Sequence, residues 1–416
     1  MVDKEWVIEK VAAQNKWRKN ECINLIASEN VTSPLVDAVY NSDFAHRYAE
    51  GDPYKRYYNG TKFIDELEEE ANALAKKVFD CKNVDLRVIS GTVANIAAFS
   101  AFVRNGDMVL SNSTQGGGHI SHNLFGAVGM LGGTQVPFPI TEDGYHVDVD
   151  KTLKLIEQKQ SNIRNHLNTA IFGCSMFLFP QPVKEIAPTA KQYGMRVLYD
   201  AAHVLGLIAA KEFQDPLKEG AELVTASTHK TFFGPQGGII YNNFEQEYWD
   251  KIRSMVFPGV TSNHHLHRIP AMLIAILEFQ EFGKEYAKQV RKNAKTLAQA
   301  LHENGFDVAG EQFGFTESHQ VVVDVSTLGG GFECANKLEQ SNIICNKNLL
   351  PKDKLSLVHN PSGIRLGVQE MTRWGCKEGE MEEIASFMKS VLFDEKKERE
   401  KAIEFRKGFS QVKYTF

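Results

Sequence analysis

Thr225-Ala226-Ser227-Thr228-His229-Lys230-Thr231, followed by Gly234-Pro235-Gln236-Gly237-Gly238, decides how this chain is read. An apolar stretch runs into a turn of small residues, and Lys230 sits on that turn with bulky neighbours kept away from its amine. A lysine that works as a nucleophile must be sterically open and partly desolvated, so that the amine is neutral and can form an imine. Taken alone, one lysine among 47 basic residues reads as a solvated surface charge, so the rest of the sequence must carry the argument.

Thirty residues earlier, Arg196-Val197-Leu198-Tyr199-Asp200-Ala201-Ala202-His203 places an acid at the carboxyl end of an apolar strand. Ligands of open α/β sheets bind at that edge. An acid there can keep a proton on the pyridine nitrogen of pyridoxal phosphate, which makes the ring an electron sink. Without the lysine, Asp200 would read as a helix N-cap. His203 reads either as a donor to the ring oxygen or as a core histidine. Further upstream, Ser90-Gly91-Thr92 precedes the helical pattern Val93 to Val103, so hydroxyls and helix-terminal amides would face a phosphate. In Gly116-Gly117-Gly118-His119 the glycines let a flat ring approach the imidazole. Downstream, Ser362-Gly363-Ile364-Arg365-Leu366-Gly367 sets one arginine in an apolar segment, where its forked guanidinium fits either an amino-acid carboxylate or an interdomain salt bridge.

The same stretches organise the chain. Ile64, Leu67, Ala71, Leu74 and Val78 recur at steps of three and four, which predicts an amphipathic helix ending near Asp80. Short apolar runs over 86–89, 108–110, 170–172, 196–199 and 238–241 alternate with helical patterns, the signature of an α/β domain with a largely parallel sheet. After Pro270 a long helical stretch carries Ala287, Val290, Ala294, Leu297 and Leu301 and stops at Gly305. A smaller α+β unit should follow, with strands at 321–325 and 343–345 and a closing helix over 381–392. The expected division is an N-terminal arm over 1–55, a large domain over 56–275 and a small domain over 276–416. The tail 395–401 reads as a solvated helix face.

Composition narrows the function classes. With 416 residues and 43% hydrophobic content the chain can bury a large core. Its net charge of −5 comes without a Lys or Arg stripe, which argues against nucleic acid as a principal partner. The polar N-terminus lacks the apolar core of a signal peptide, and no 18-residue apolar run suggests a membrane span. Six scattered cysteines without a C-x-x-C pair suggest neither a disulfide framework nor a zinc site, and fit a cytoplasmic setting.

Several motifs occur in the order of one family. Leu25-Ile26-Ala27-Ser28-Glu29-Asn30, Tyr48-Ala49-Glu50-Gly51-Asp52-Pro53-Tyr54-Lys55-Arg56-Tyr57-Tyr58-Asn59-Gly60, Thr228-His229-Lys230-Thr231, Asn346-Lys347-Asn348 and Ser362-Gly363-Ile364-Arg365 together resemble serine hydroxymethyltransferase. Phe232-Phe233-Gly234-Pro235-Gln236-Gly237-Gly238 and Asn263-His264-His265-Leu266-His267 are most similar to its archaeal-type branch. The resemblance implies a fold type I pyridoxal-phosphate enzyme of aspartate aminotransferase-like architecture. Its large domain would hold a mostly parallel seven-stranded sheet, followed by a smaller α+β C-terminal domain. It also implies a homodimer with active sites completed across the interface, and interconversion of serine and glycine. The one-carbon unit would pass to a reduced pterin, tetrahydrofolate or tetrahydromethanopterin.

Carried over by position, Lys230 matches the Schiff-base lysine, Asp200 the pyridinium partner, His203 the cofactor-oxygen ligand and His119 the stacking histidine. Ser90, Gly91 and Thr92 match the phosphate loop, and Ser175 a serine beside the cofactor. Ser28 and Arg365 match substrate-carboxylate contacts, and Asn348 a pterin contact. Glu50, Tyr48 and Tyr58 match the acid and two tyrosines contributed by the neighbouring subunit. The resemblance thus assigns catalysis to Lys230, Glu50, Tyr58 and His229, with Tyr48 and Gly259 among the cofactor contacts. Two departures stand out. After Phe257-Pro258-Gly259 the family's glycine pair is replaced by Val260-Thr261-Ser262-Asn263, which leaves the cross-subunit phosphate contact open, and Ile120 replaces a leucine beside the stacking histidine. The nearest alternative is a threonine-type aldolase or transaldolase, which needs no carrier; Glu50, Tyr57, Tyr58 and Asn348 favour the transferase. A non-catalytic descendant that binds RNA or a protein partner is opposed by intact Lys230, Asp200 and Arg365.

Overall fold

Leu223–Ser227, the run leading to Lys230, is buried at every position, the pattern of a central strand covered on both faces. A computed structural model describes residues 2–161 and 167–416. The run is the sixth of seven strands in one sheet: β1 (Asn83–Asp85), β2 (Met108–Ser111), β3 (Thr134–Pro137), β4 (Leu167–Phe172), β5 (Arg196–Asp200), β6 (Leu223–Ser227) and β7 (Gly238–Asn242). Their spatial order is β1-β7-β6-β5-β4-β2-β3. All neighbours from β3 to β6 pair in parallel, and β7 runs antiparallel to both β6 and β1.

Two strands go beyond those predicted, β3 and β6, and one is displaced. The expected strand over 86–89 lies instead at Asn83–Asp85. The carbonyls of Leu86 and Val88 are taken by the buried Arg268 guanidinium at 2.9 and 3.1 Å, and Val88 also accepts the Gly238 N–H. Helix α1 (Lys62–Phe79) buries Ile64, Ala71, Ala75 and Phe79 and ends where Asp80 turns left-handed at φ 51°. Helix α2 (Gly91–Ser100) puts small Ala94, Ala97 and Ala98 into the core that also holds Leu223 and Ile240. Short side chains let the helix lie close to β6 and β7, which fixes where its N-terminus opens.

Asn30–Ala287 with Tyr414–Phe416 form the compact unit built on this sheet, and Met1–Glu29 with Lys288–Lys413 form a second. The expected arm over 1–55 is thus shared between them, and the chain passes from one to the other within helix α3 (Arg268–Glu303). The second unit carries an antiparallel sheet of β8 (Asp307–Val308), β9 (Gln320–Asp324), β10 (Asn346–Asn348) and β11 (Gly363–Gly367), in the order β8-β9-β11-β10. Ile343–Ile344 does not enter this sheet; it pairs in parallel with Ile23–Asn24. Helix α4 (Glu378–Leu392) closes the unit with Met381, Ile384 and Met388 buried. The tail departs from a wholly solvated face, because Glu398 is buried and accepts bonds from the Ser390 hydroxyl and the Lys401 ammonium. Among the described residues no helix is long and apolar enough to cross a membrane.

A polar cluster sits inside the second unit. Arg18 pairs with Glu29 at 2.5 Å and donates to Asn24, whose amide donates to Glu370 at 2.8 Å; the Trp374 indole donates to the same Glu370 oxygen. Burial pushes the Glu370 carboxyl up to about 7, opposed by the Trp374 and Asn24 donors and reinforced by the Glu29 charge. The folded state therefore keeps a proton that the unfolded chain loses near pH 4.5, and this group's contribution to stability falls as pH rises from there to about 7. Relative to wild type, Glu370→Gln should gain about 1–3 kcal/mol between pH 5 and pH 8, measured by urea unfolding at each pH. A difference that does not change with pH would contradict this.

At the other end of the molecule's chemistry, a Cβ on Gly238 would stand 2.4 Å from the Ser90 carbonyl oxygen, a backbone atom that cannot swing aside. Gly238→Ala should cost about 2–4 kcal/mol in the same assay. Gly379, with nothing within 4 Å of an added Cβ, should tolerate alanine or gain slightly.

Candidate active site

Lys230 follows β6 by three residues and is 9% exposed. Its flanks are pinned on both sides. The Thr228 hydroxyl donates to the Pro235 carbonyl at 2.7 Å, and the Thr231 hydroxyl donates to the His203 carbonyl at 2.7 Å while accepting the Gly206 N–H. The Asn30 amide donates to the Lys230 carbonyl at 2.6 Å. The turn after β6 is thereby tied to the segment after β5. His229 is pushed down to about 4, first by burial and then by the Lys230 and Arg268 charges, so its ring is neutral at neutral pH. Its Nδ1 accepts the Gly237 N–H at 3.5 Å.

Asp200 ends β5 and is buried. Its Oδ2 accepts the Asn95 amide at 2.7 Å and lies 3.0 Å from His122 Nε2, while Oδ1 accepts the Ala202 N–H at 2.9 Å. The next helix begins only at Leu205, with Val204 at its cap, so Asp200 does not serve as its N-cap. Burial alone would raise its pKa. The His122 hydrogen bond and charge, the His119 charge and the Asn95 amide outweigh burial and hold Asp200 well below the usual carboxylate range. His122 Nδ1 has no hydrogen-bond partner among the described residues. The proton of a neutral ring therefore belongs on Nε2, donated to Asp200.

Asn95 is the hub of this network. Its Oδ1 accepts the Thr225 hydroxyl at 2.6 Å, and its amide also donates to Ser121 Oγ, which lies 2.7 Å from His119 Nδ1. The His119 and His122 rings meet edge-on at 6.0 Å. Sequence reasoning missed Asn95, Ser121 and His122. The one available signal was an amide set among Ala94, Ala97 and Ala98 on the buried face of α2.

Ser90 caps α2 by accepting the Val93 N–H at 3.1 Å, and the amides of Gly91 and Thr92 have no acceptor within the helix. A Cβ on Gly91 would lie 2.4 Å from Ser227 Oγ, so this N-terminus presses against the residue three places before Lys230. Gly173, at φ +109°, leaves room for the Asp200 carbonyl, which an added Cβ would meet at 2.2 Å. The Ser175 N–H donates to the Gly117 carbonyl at 2.7 Å, joining Ser175 to the glycine loop before His119. These residues fit pyridoxal phosphate: helix-terminal amides for the phosphate, an ionised buried acid for the ring nitrogen, a buried lysine for the aldehyde. His203, 3% exposed, is held beside them by its carbonyl bond to Thr231.

Glu50, Tyr48 and Tyr58 form another group in the same unit. Ser262 donates its hydroxyl to Glu50, and Asn263 accepts the Ala49 N–H at 3.1 Å while donating to the Arg47 carbonyl at 3.0 Å. Where the family has its glycine pair, Asn263 holds the Arg47–Ala49 backbone and Ser262 holds the Glu50 carboxylate. Tyr48 and Tyr58 pack ring to ring at 5.5 Å, and Tyr57 lies 6.2 Å from Phe257, just before Gly259. Tyr48, Tyr57 and Tyr58 are 54%, 77% and 43% exposed, and Ile120 58%.

In the other unit, Arg365 stands in the middle of β11, 7% exposed, donating to Asn346 Oδ1 at 3.2 Å. Asn348 pairs with Gly363 on the same sheet. The turn bearing Ser28 is bonded to β11 through the Gly367 N–H and the Leu25 carbonyl, 2.8 Å apart.

The serine hydroxymethyltransferase family profile matches residues 1–388. Serine hydroxymethyltransferases from the archaea Sulfolobus acidocaldarius and Staphylothermus marinus are each 51% identical, over 99% and 96% of this chain and 94% and 90% of their own. Among solved structures, L-threonine transaldolase from Pseudomonas fluorescens superposes with a TM-score of 0.88 at 29% identity, covering 99% of this chain and 93% of that one. The architecture is that of the fold type I pyridoxal-phosphate enzymes, and the higher identity lies with the hydroxymethyltransferases. A buried lysine turn, an ionised acid at the carboxyl edge of a seven-stranded sheet and this likeness along the whole length converge, and the chain belongs to the serine hydroxymethyltransferase family.

Proposed function

We propose that this enzyme interconverts L-serine and glycine, passing the one-carbon unit to a reduced pterin, tetrahydrofolate or tetrahydromethanopterin. The observation that carries the reading is the hydrogen-bonded route from Lys230 through Thr231 to the segment after Asp200, whose carboxylate stays ionised although buried. When bound, pyridoxal phosphate supplies a protonated ring that can store the electrons of a carbanion. Lys230 would hold its aldehyde carbon, and Ser90, Gly91 and Thr92 its phosphate. Asp200 would keep the proton on the ring nitrogen, while His119 covers one face and His203 and Ser175 meet its polar edge. Arg365 and Ser28 take the substrate carboxylate, the guanidinium offering two parallel donors.

Glu50, oriented by the Ser262 hydroxyl that it accepts, is assigned the proton on the β-hydroxyl oxygen of serine. It returns that proton in the reverse direction. Tyr58 orients the same group, and Asn348 meets the pterin. His229, neutral and half-buried, acts as an acceptor behind Lys230 rather than as an acid. Tyr48, Tyr58, Glu50 and Gly259 are offered to a second copy of the chain in a cytoplasmic homodimer, a reading supported by the strong exposure of this aromatic group. At the positions of the family's glycine pair, Ser262 and Asn263 clamp the segment from Arg47 to Glu50.

Purified protein loaded with pyridoxal phosphate should form glycine from serine only when one of the two pterins is present. Lys230→Ala should abolish turnover, and Asp200→Asn should lower it by about a hundredfold or more. Carrier-independent cleavage of threonine, with no pterin-dependent serine turnover, would favour a transaldolase instead. For the shared site, inactive Lys230→Ala and Glu50→Gln proteins, unfolded together and refolded as mixed dimers, should recover about a quarter of wild-type activity, because each heterodimer keeps one intact site. No recovery on mixing would place Glu50 and Lys230 in the same subunit's site.

A further inference from the structure

The turn that carries Ser28 is held through a run of its backbone carbonyls. Leu25 accepts the Gly367 N–H at 2.8 Å, and Ala27 lies 3.1 Å from His319 Nε2. A single side chain does the rest: the Gln369 amide donates to the Ile26 carbonyl at 2.8 Å and to the Glu29 carbonyl at 2.6 Å, bracketing Ser28 from both sides. Gln369 is 0% exposed. The fit is tight, since a Cβ on Gly367 would meet Ala27 Cα at 2.4 Å and Gln369 Oε1 at 2.5 Å. Gln369 also follows Arg365 by four residues, at the start of the short helix Gln369–Arg373 that leaves β11. One primary amide has two hydrogens, and here both go to carbonyls of one turn.

We infer that Gln369 is a positioning residue for substrate-carboxylate recognition: its amide fixes the Ile26–Glu29 backbone and so sets where the Ser28 hydroxyl stands with respect to the strand of Arg365. The inference rests on the reading of Ser28 and Arg365 as the carboxylate contacts. Neither hydrogen of the Gln369 amide is replaced by methionine, which has nearly the same shape; the Glu29 carbonyl then loses this donor, and the Ile26 carbonyl keeps only the Glu29 N–H of its own turn. Glutamate keeps the shape and sets negative oxygens against them. A misplaced Ser28 weakens binding in ground state and transition state alike, so the loss should appear in KM rather than kcat.

Three variants test this in the cofactor-loaded enzyme: Gln369→Met, Gln369→Glu, and the milder Gln369→Asn, which keeps an amide with shorter reach. Each should raise KM for serine, by roughly tenfold for Met and Glu, with kcat changed less than about threefold and pyridoxal-phosphate content unchanged. Ser28→Ala should raise KM comparably, and Ser28→Ala/Gln369→Met should be no worse than the poorer single variant, because both act on one contact. Folded Gln369 variants with a wild-type KM, or a double variant whose effects multiply, would overturn the inference while leaving Ser28 as a carboxylate contact. Unchanged KM in both Ser28→Ala and Arg365→Ala would instead overturn the reading beneath it. A Gln369→Asn protein with a lowered thermal midpoint and an unaltered KM would reduce Gln369 to a packing role.

Discussion

A carboxylate taken out of water must be paid for by partners, and the pairing of Asp200 with His122 and Asn95 is the constraint on which the candidate site depends. Desolvation works against the charge, and an isolated buried acid would simply take up a proton. Here two donors converge on one carboxylate oxygen and a backbone N–H meets the other. Both donors are themselves immobilised, Asn95 by Thr225 and Ser121 and His122 by burial among aromatic neighbours such as Phe99. A lasting negative charge at the carboxyl edge of the sheet can then hold a cationic ring nitrogen. The small residues of α2, the glycine at 173 and the hydroxyls flanking Lys230 all serve to bring other groups up to that charge.

Much of the candidate site could be proposed from the chain because the chemistry requires particular residue types in a particular order. A lysine on a turn of small residues, an acid ending an apolar strand and a Ser-Gly-Thr before a helix each make a local demand that sequence can express. Asn95, Ser121 and His122 make no such local demand. Their importance arises from bonds spanning 26, 78 and 105 residues, which only the folded sheet creates. The strand expected over 86–89 failed for the same reason, since Arg268 claims its carbonyls from about 180 residues away. The sixth strand was passed over because Thr225 and Ser227 were read together with the lysine turn that they precede. They are buried, with Thr225 donating to Asn95 and Ser227 pressed against Gly91. The third strand is an edge strand, half exposed and ending in a proline, and lacks alternation to reveal it.

The departures from the family pattern turn out to have structural content. Where a glycine pair would offer bare backbone, Ser262 and Asn263 offer side chains, and both are spent on the segment from Arg47 to Glu50. Gln369 plays a comparable part for the Ser28 turn. In both places a polar side chain, Asn263 or Gln369, bonds to main-chain groups of a neighbouring loop and so fixes the backbone that carries a candidate site residue. Such contacts leave no trace in composition or periodicity, because any residue type can present a carbonyl.

The parallel pairing of Ile23–Asn24 with Ile343–Ile344 has a consequence for how the polypeptide is made. The first 29 residues leave the ribosome before any of the strands that will receive them, and the sheet-bearing body from Asn30 onward can mature in the meantime. At translation speeds of about 5–20 residues per second, the interval before residue 343 emerges amounts to tens of seconds. Throughout it, Cys22, Ile23 and Leu25, all fully sequestered at the end, remain open to water and to other nascent chains. Biogenesis of this enzyme thus includes a waiting period for the segment before Asn30, during which a chaperone or a low concentration of nascent chains has the greatest influence on yield.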